Sequence, residues 1–279
     1  MEKKRHGFTK FFVIVGALLA VVAIVLFICG MSAADWDFRK LNTVNYIYMR
    51  YEQGNESISS VNIRYESADI TVKVSDQADK ISVQYPVRAN PNDEPIATVR
   101  AEAVNGTLYI AESEQNWDWF SWNFSSPAVT VIIPADAALD SLTLSTDYGN
   151  INAASLSLSG NLNAETDSGN ISVSSVTAAG NAILSADNGN INLSDVTASK
   201  ISAETDNGNI AGTGTLDAQV LIFESELGDI QATLAGAQTE YSIRVKTELG
   251  NSNVSNATGG PRNLTAETEY GNIRIYFEK

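Results

Sequence analysis

The chain has 279 residues, 18 basic and 33 acidic side chains, a formal net charge of −15, one histidine and one cysteine. That length builds one or two domains with a sizeable core. So acidic a chain repels nucleic acid and anionic lipid head groups, and a lone cysteine excludes an internal disulfide framework.

The chain opens with a basic tail, residues 1–10, carrying Lys3, Lys4, Arg5 and Lys10 against Glu2. From Phe11 to Ala34 no charge occurs: "FFVIVGALLAVVAIVLFICGMSAA". Roughly 20 apolar residues, at about 1.5 Å per residue, span a hydrocarbon layer of about 30 Å. The flanking charge predicts a cytosolic N-terminus, a transmembrane helix over 11–34 and an extracellular remainder. Ser32-Ala33-Ala34 resembles a signal-peptidase site, but the apolar run exceeds the roughly 7–15 residues of a signal peptide. Cys29 follows Ile28, whereas lipoprotein processing requires a small residue there. The tail carries +3, so the part beyond the helix carries −15 − 3 = −18.

Residues 35–59 read as a juxtamembrane linker and the start of the ectodomain, and 60–140 as degenerate or capping β coils. "VNIRYESADITVKV" (61–74) alternates with period two, and Ser67-Ala68-Asp69-Ile70 stands where later units write Gly-Asn-Ile. "NGTLYI" (105–110) and "PAVTVIIP" (127–134) supply further strands. Between them the insert 116–127 gathers Trp117, Trp119, Phe120, Trp122 and Phe124. These aromatics are candidates for a partner contact, a sugar platform or a membrane-interface loop; the alternative is a cap over the end of the fold.

From 141 to 279 the chain repeats. Gly149, Gly169, Gly189, Gly208, Gly228, Gly250 and Gly271 follow one another at intervals of 20, 20, 19, 20, 22 and 21 residues. Apolar residues recur seven and five positions before each glycine and two and four after it. This is strand, tight turn, strand with one face inward. A single unit cannot bury that face, but stacked units can. All six prolines fall outside 135–260, as an uninterrupted ladder requires. The expected fold is all-β, a parallel β-solenoid of ~20-residue coils preceded by one transmembrane α-helix. A run of antiparallel hairpins is the competing arrangement.

The phrase "TDSGNIS" (166–172) and its copies serve as the corner of each coil. Asp is expected to bond amides two residues on, glycine to supply a positive φ, and the following Asn to form a ladder between coils. Asp147, Asp167, Asp187 and Asp206 raise a second use, a calcium column at about 5 Å spacing. The Gly-Gly-X-Gly-X-Asp pattern of calcium β-rolls is absent. Asn-X-Ser/Thr triplets such as Asn170-Ile171-Ser172 read as chance in so Asn- and Ser-rich a chain.

His6 belongs to the tail and Cys29 to the helix, so the expected ectodomain has no His or Cys for nucleophilic catalysis or zinc. No P-loop or Rossmann glycine pattern occurs. Paired carboxylates for glycoside cleavage stay open, with no pair singled out. No catalytic residue and no cofactor are expected, calcium aside.

The strands "SLTLSTDYGNINA", "GNLNAETDSGNISV" and "KISAETDNGNIAG", behind "VTVIIP" and an aromatic insert, resemble the bacterial "putative adhesin" β-strand-repeat domain family of unknown function. The resemblance covers roughly residues 60–279. It implies a Gram-positive envelope protein behind one N-terminal helix. The expected function is a non-enzymatic envelope scaffold binding a protein or wall polymer. An accessory of an envelope-stress or signalling system, acting through a membrane partner, is the alternative, and an enzyme on wall carbohydrate a third.

Overall fold

In the computed structural model, residues 3–113, 123 and 125–278 are described. Helix α1 (Lys3–Ala33) holds the apolar run, and a window Phe12–Ala33 of mean hydropathy 3.3 is long and apolar enough to cross a membrane. The helix ends where Asp35 and Trp36 turn left-handed, at φ 53° and 61°, with the Trp36 N–H donating to Met31 O at 2.8 Å. A short 3-10 turn (Phe38–Leu41) then leads into the sheet.

Among the described residues nineteen strands follow. The first seven are β1 (Asn45–Glu52), β2 (Ser60–Tyr65), β3 (Asp69–Ser75), β4 (Ser82–Ala89), β5 (Val99–Val104), β6 (Thr107–Glu112) and β7 (Ala128–Pro134). The repeat supplies β8 (Ser141–Tyr148), β9 (Ile151–Ala154), β10 (Ser157–Leu158), β11 (Leu162–Ser168), β12 (Ile171–Asn188) and β13 (Ile191–Asn207). It ends with β14 (Ile210–Asp217), β15 (Val220–Leu227), β16 (Ile230–Ala235), β17 (Tyr241–Leu249), β18 (Arg262–Tyr270) and β19 (Ile273–Glu278). Among the described residues all nineteen belong to one sheet wound into a solenoid-like body.

The named strands of the repeat pair in parallel, coil on coil: Leu142 beside Leu162, Leu162 beside Ala182, Ile151 beside Ile171, Ile171 beside Ile191. The sheet as a whole is mixed. β1 pairs with β4, β4 with β7, and β5 with β6, all antiparallel. A uniformly parallel solenoid is therefore corrected at the N-terminal end, where the strands reverse to close the body against solvent.

The inward positions read from the repeat form the core. Leu142, Leu162, Ala182, Ile201, Leu221, Ile243 and Leu264 are buried, as are Ile151, Ile171, Ile191, Ile210, Ile230 and Ile273. Each large aliphatic side chain so buried contributes about 1.5–3 kcal/mol. A third short face completes each central coil through Leu156 and Leu158, Val176 and Ala178, or Val196 and Ala198. It turns on left-handed residues Ser155, Ser175 and Asp195, φ 53–59°.

Chain order and stacking order part company at both ends. β2 and β3 lie directly on β8 and β9, while β6 and β7, later in the chain, lie outside them. At the other end β18 lies directly on β15, and β17, earlier in the chain, lies outside β18. Ser252, the one non-aliphatic residue two after its glycine, belongs to that outer coil, and so do half-buried Val245 and Val254. Arg262 staples the inserted coil. Its guanidinium donates to Ala218 O at 2.7 and 2.9 Å and to Ala235 O at 2.8 Å, and it lies 4.7 Å over the Tyr241 ring.

The corner glycines correct a second expectation. None of the seven has positive φ. Each is required by close approach: a Cβ on Gly169, Gly189, Gly208 or Gly228 would lie 1.7–2.0 Å from the glycine carbonyl oxygen of the coil beneath. Gly189→Ala is expected to cost about 3 kcal/mol or more, since backbone on both sides has no room to yield. Asp187→Ala, two residues away and exposed, is expected to stay within about 0.5 kcal/mol. Urea denaturation of the two variants measures the contrast.

Candidate functional site

The corner and the outer face of the long strands are the best-defined surfaces. At the corner, threonine rather than aspartate makes the local bond. Thr146 Oγ1 donates to Ala68 O, Thr166 to Gly149 O, Thr205 to Gly189 O and Thr268 to Gly228 O, at 2.9–3.0 Å. These hydroxyls are buried and satisfy a carbonyl that the ladder leaves free. The expected Asx-turn is corrected: among the described residues no hydrogen bond to the Asp147, Asp167, Asp187 or Asp206 carboxylates forms. The recurring Thr or Ser three residues before six of the seven glycines was the signal for this role, carried by Thr146, Thr166, Thr205, Ser225, Thr247 and Thr268, with Ala186 as the exception.

The asparagine ladder forms as expected. Asn170 Nδ2 donates to Asn150 Oδ1 at 3.1 Å, Asn190 to Asn170 at 3.2 Å and Asn209 to Asn190 at 3.2 Å. Each Oδ1 also accepts the backbone N–H of the next asparagine, at 2.8–3.0 Å. Asp69 begins the column by accepting both donors of Asn150, and so fills the place read from Ser67-Ala68-Asp69-Ile70.

Asp229 interrupts the ladder. It accepts the Asn272 N–H at 2.8 Å and Arg274 Nη1 at 3.0 Å. The Asn272 amide first, then Arg274, holds its carboxyl below the usual carboxylate range. A depressed value means stability present above the unfolded pKa near 3.9 and lost as pH falls through the folded value. In Asp229→Asn the ladder contact with Asn272 survives, while the acid-sensitive pair with Arg274 disappears. The wild-type chain is therefore expected to lose melting temperature faster than the variant below about pH 4, as calorimetry from acid to neutral pH checks.

Between paired neighbours on each strand, Asp147, Asp167, Asp187, Asp206, Glu226, Glu269 and Glu248 fall into one outward column in that spatial order. Glu204, Glu224 and Glu267 stack beside it, with Lys246 next in the row. A shallow depression of about 220 Å³ lies over Glu204, Asp206, Glu224, Glu226, Glu267 and Glu269. Successive carboxylates sit about 4.8 Å apart, and their repulsion is limited by solvent and, at the outer coil, by Lys246 beside Glu248 at 3.3 Å. The four aspartates of the calcium reading do share this column. They face solvent side by side, and among the described residues no three His, Cys, Asp or Glu side chains converge to hold a metal ion. Melting temperature is expected to rise equally in NaCl and CaCl2 at matched ionic strength, because screening needs no ligand cage. A further rise confined to calcium would reveal a specific site.

The aromatic candidates Trp117, Trp119, Phe120, Trp122 and Phe124 lie outside the described residues. Asn123, between Trp122 and Phe124, and Ser125 just after them are tied to the connector behind the helix: Asn123 Nδ2 donates to Val44 O at 2.6 Å, and Asn42 Nδ2 to Ser125 Oγ at 3.1 Å. A charged cluster lies at the other flank. Arg88 stands 3.5 Å from both Glu66 and Glu112, and burial pushes the Glu112 carboxyl up.

A family model described as Toastrack DUF4097 matches residues 58–279. The chain belongs to this family. The Toastrack match spans β2 to β19 and leaves out β1. Solved structures similar to the chain include a protein called a "putative adhesin" from Parabacteroides distasonis, 14% identical, covering 84% of this chain and 97% of that one at a TM-score of 0.44. Another of the same description comes from Parabacteroides merdae, 13% identical over 83% and 96%, TM-score 0.42. A third, described as a "putative lipid binding protein" from Parabacteroides distasonis, is 16% identical over 83% and 97%, TM-score 0.31. No curated protein matches the chain in sequence.

Proposed function

We propose that this Toastrack chain is a non-enzymatic envelope scaffold, held by its apolar helix as a single-pass anchor with the N-terminus in the cytosol. It needs no cofactor, and its parallel coils present the acidic face outside the membrane to a protein or wall polymer that bears cationic groups. The observation that carries this reading is the column of seven stacked carboxylates on a flat strand face. Such a face concentrates potential of one sign and draws a complementary surface to it. It also makes the interaction dependent on ionic strength.

A second reading, an accessory to an envelope-stress or signalling system, is favoured by the join between helix and body. Met31 and Ala34 are buried, at 1% and 5% exposure, and the Phe27 ring stands 6.5 Å from Phe38. A helix end packed against its own connector passes displacement between the domain and a membrane partner with little slack.

The decisive test is retention of the protein on isolated envelopes stripped of it. With Asp167→Asn, Asp187→Asn, Asp206→Asn and Glu226→Gln combined, binding at low salt is expected to fall at least about tenfold, with melting temperature unchanged or higher, because like-charge repulsion is relieved. Undiminished binding by the folded variant would remove the acidic face as the contact.

A further inference from the structure

We propose that the outer edge of β1 is a pairing edge for a second copy of this chain. β1 pairs with β4 through eight aligned residues, from Asn45 opposite Ala89 to Glu52 opposite Ser82, without a bulge. Two observations show which backbone groups turn the other way. Just past the strand, the Gln53 N–H donates to Ile81 O at 2.9 Å, so the odd-numbered residues of β1 direct their N–H and C=O toward β4. Tyr48 stands opposite Pro86, which has no N–H to exchange. Tyr46, Tyr48, Arg50 and Glu52 therefore aim their backbone groups away from β4, and among the described residues no strand pairs with them.

The far end of the solenoid is treated differently. There Ile243 exchanges both backbone bonds with Ala257, and the Val245 N–H donates to Asn256 Oδ1 at 2.7 Å. Residues 252–258 thus cover that edge. Among the described residues β1 carries no such cover along Tyr46–Glu52, Asn123 reaching only the Val44 carbonyl just before the strand, and the strand contains no Pro, Lys or bulge, three of the devices that keep edge strands from pairing. Tyr48, Met49 and Arg50 on it are about half exposed or more, at 50%, 48% and a side-chain 63%.

The strand, "NYIYMRYE", is complementary to itself. Antiparallel pairing about Tyr48 sets Tyr48 against Tyr48, Tyr46 against Arg50, Ile47 against Met49 and Asn45 against Tyr51. Outward-facing residues then meet outward-facing residues, so roughly six N–H···O bonds form without any shift of the strand. The side-chain pairs are aromatic on aromatic, cation on aromatic and apolar on apolar, and no like charges meet. A C2 dimer of this kind uses one patch twice. Two strands alone bury less than the roughly 1,000 Å² of a stable interface, so the pairing relies on confinement. It rests in this respect on the anchor reading: a helix ending eleven residues before β1 holds copies in one membrane and raises their effective concentration.

The test uses the full chain in membrane vesicles, with Cys29→Ser as background and single cysteines at Tyr48, Met49 or Glu52. Opposed residues at the dyad have Cα atoms about 4.5–5.5 Å apart, within disulfide reach, so mild oxidation of Tyr48→Cys is expected to give on the order of ten times more covalent dimer than Glu52→Cys. The greatest yield at Met49→Cys would support the same pairing with its axis one residue along. Equal yields at all three positions, no dimer from any of them, or a Tyr48→Cys adduct to a different protein would overturn it. Tyr48→Pro in the otherwise native chain provides a check that needs no thiol. It deletes an outward N–H and spares the β4 ladder, so dimer captured by amine crosslinking should fall severalfold while melting temperature drops at most slightly, through loss of the Ala128 N–H bond to the Tyr48 hydroxyl; undiminished capture would also overturn the pairing. Alkaline carbonate extraction of the vesicles reads the anchor separately: a chain that washes out defeats the anchor reading, while the cysteine yields still report on the edge.

Discussion

The contact on which the rest of the molecule depends is the approach of each corner glycine to the corner carbonyl of the neighbouring coil, Ala68 for Gly149 and a glycine for the others. With space for no Cβ, the chain at this point is packed backbone on backbone, and the rise from coil to coil is set there. A corner so tight leaves polar groups that a regular ladder would satisfy. The threonine hydroxyl takes the glycine carbonyl, and the asparagine side chain takes the amide above it. Three residue types, each filling one role, give the polar groups of the bend their partners at most of the corners.

The outer face follows from the same geometry. Stacking in strict register brings identical positions together, so the isoleucines that fill the core and the carboxylates that face solvent are aligned by one rule. A core column gains from this alignment through burial. A charged column loses by it, though the loss is small where water surrounds each side chain. The repeat therefore carries its charge where the fold is least sensitive to it, and that surface is free to serve recognition.

The two ends solve a different problem. A coil at the end of a solenoid has no neighbour, and its inward side chains and amides lie open. Here the chain inserts a later or earlier coil beneath the terminal one, so that the most complete coils stack inside and the least complete lie outermost. Ser252 in place of isoleucine costs little on such an outer coil. Buried Arg262, with its carbonyl partners and the Tyr241 ring, holds the inserted coil in place. The N-terminal end is closed with antiparallel strands instead, and this leaves β1 at the margin of the sheet.

Much of this was written in the sequence. Period-two alternation about glycines some twenty residues apart determined which side chains point inward, and even Ala68 and Asp69 were recognisable as a corner, because a stacked repeat imposes the same demand on each unit. The apolar helix and the asparagine ladder were legible for the same reason: local composition suffices to specify them. Tertiary structure alone decided the reason for the glycines, since a steric conflict with another coil leaves no local mark that distinguishes it from a left-handed turn. It also decided the threonine bonds across coils, the mixed strand directions and the order of the terminal coils. Those depend on which strand finds which neighbour, and nearly equivalent repeats offer several neighbours of the same pattern.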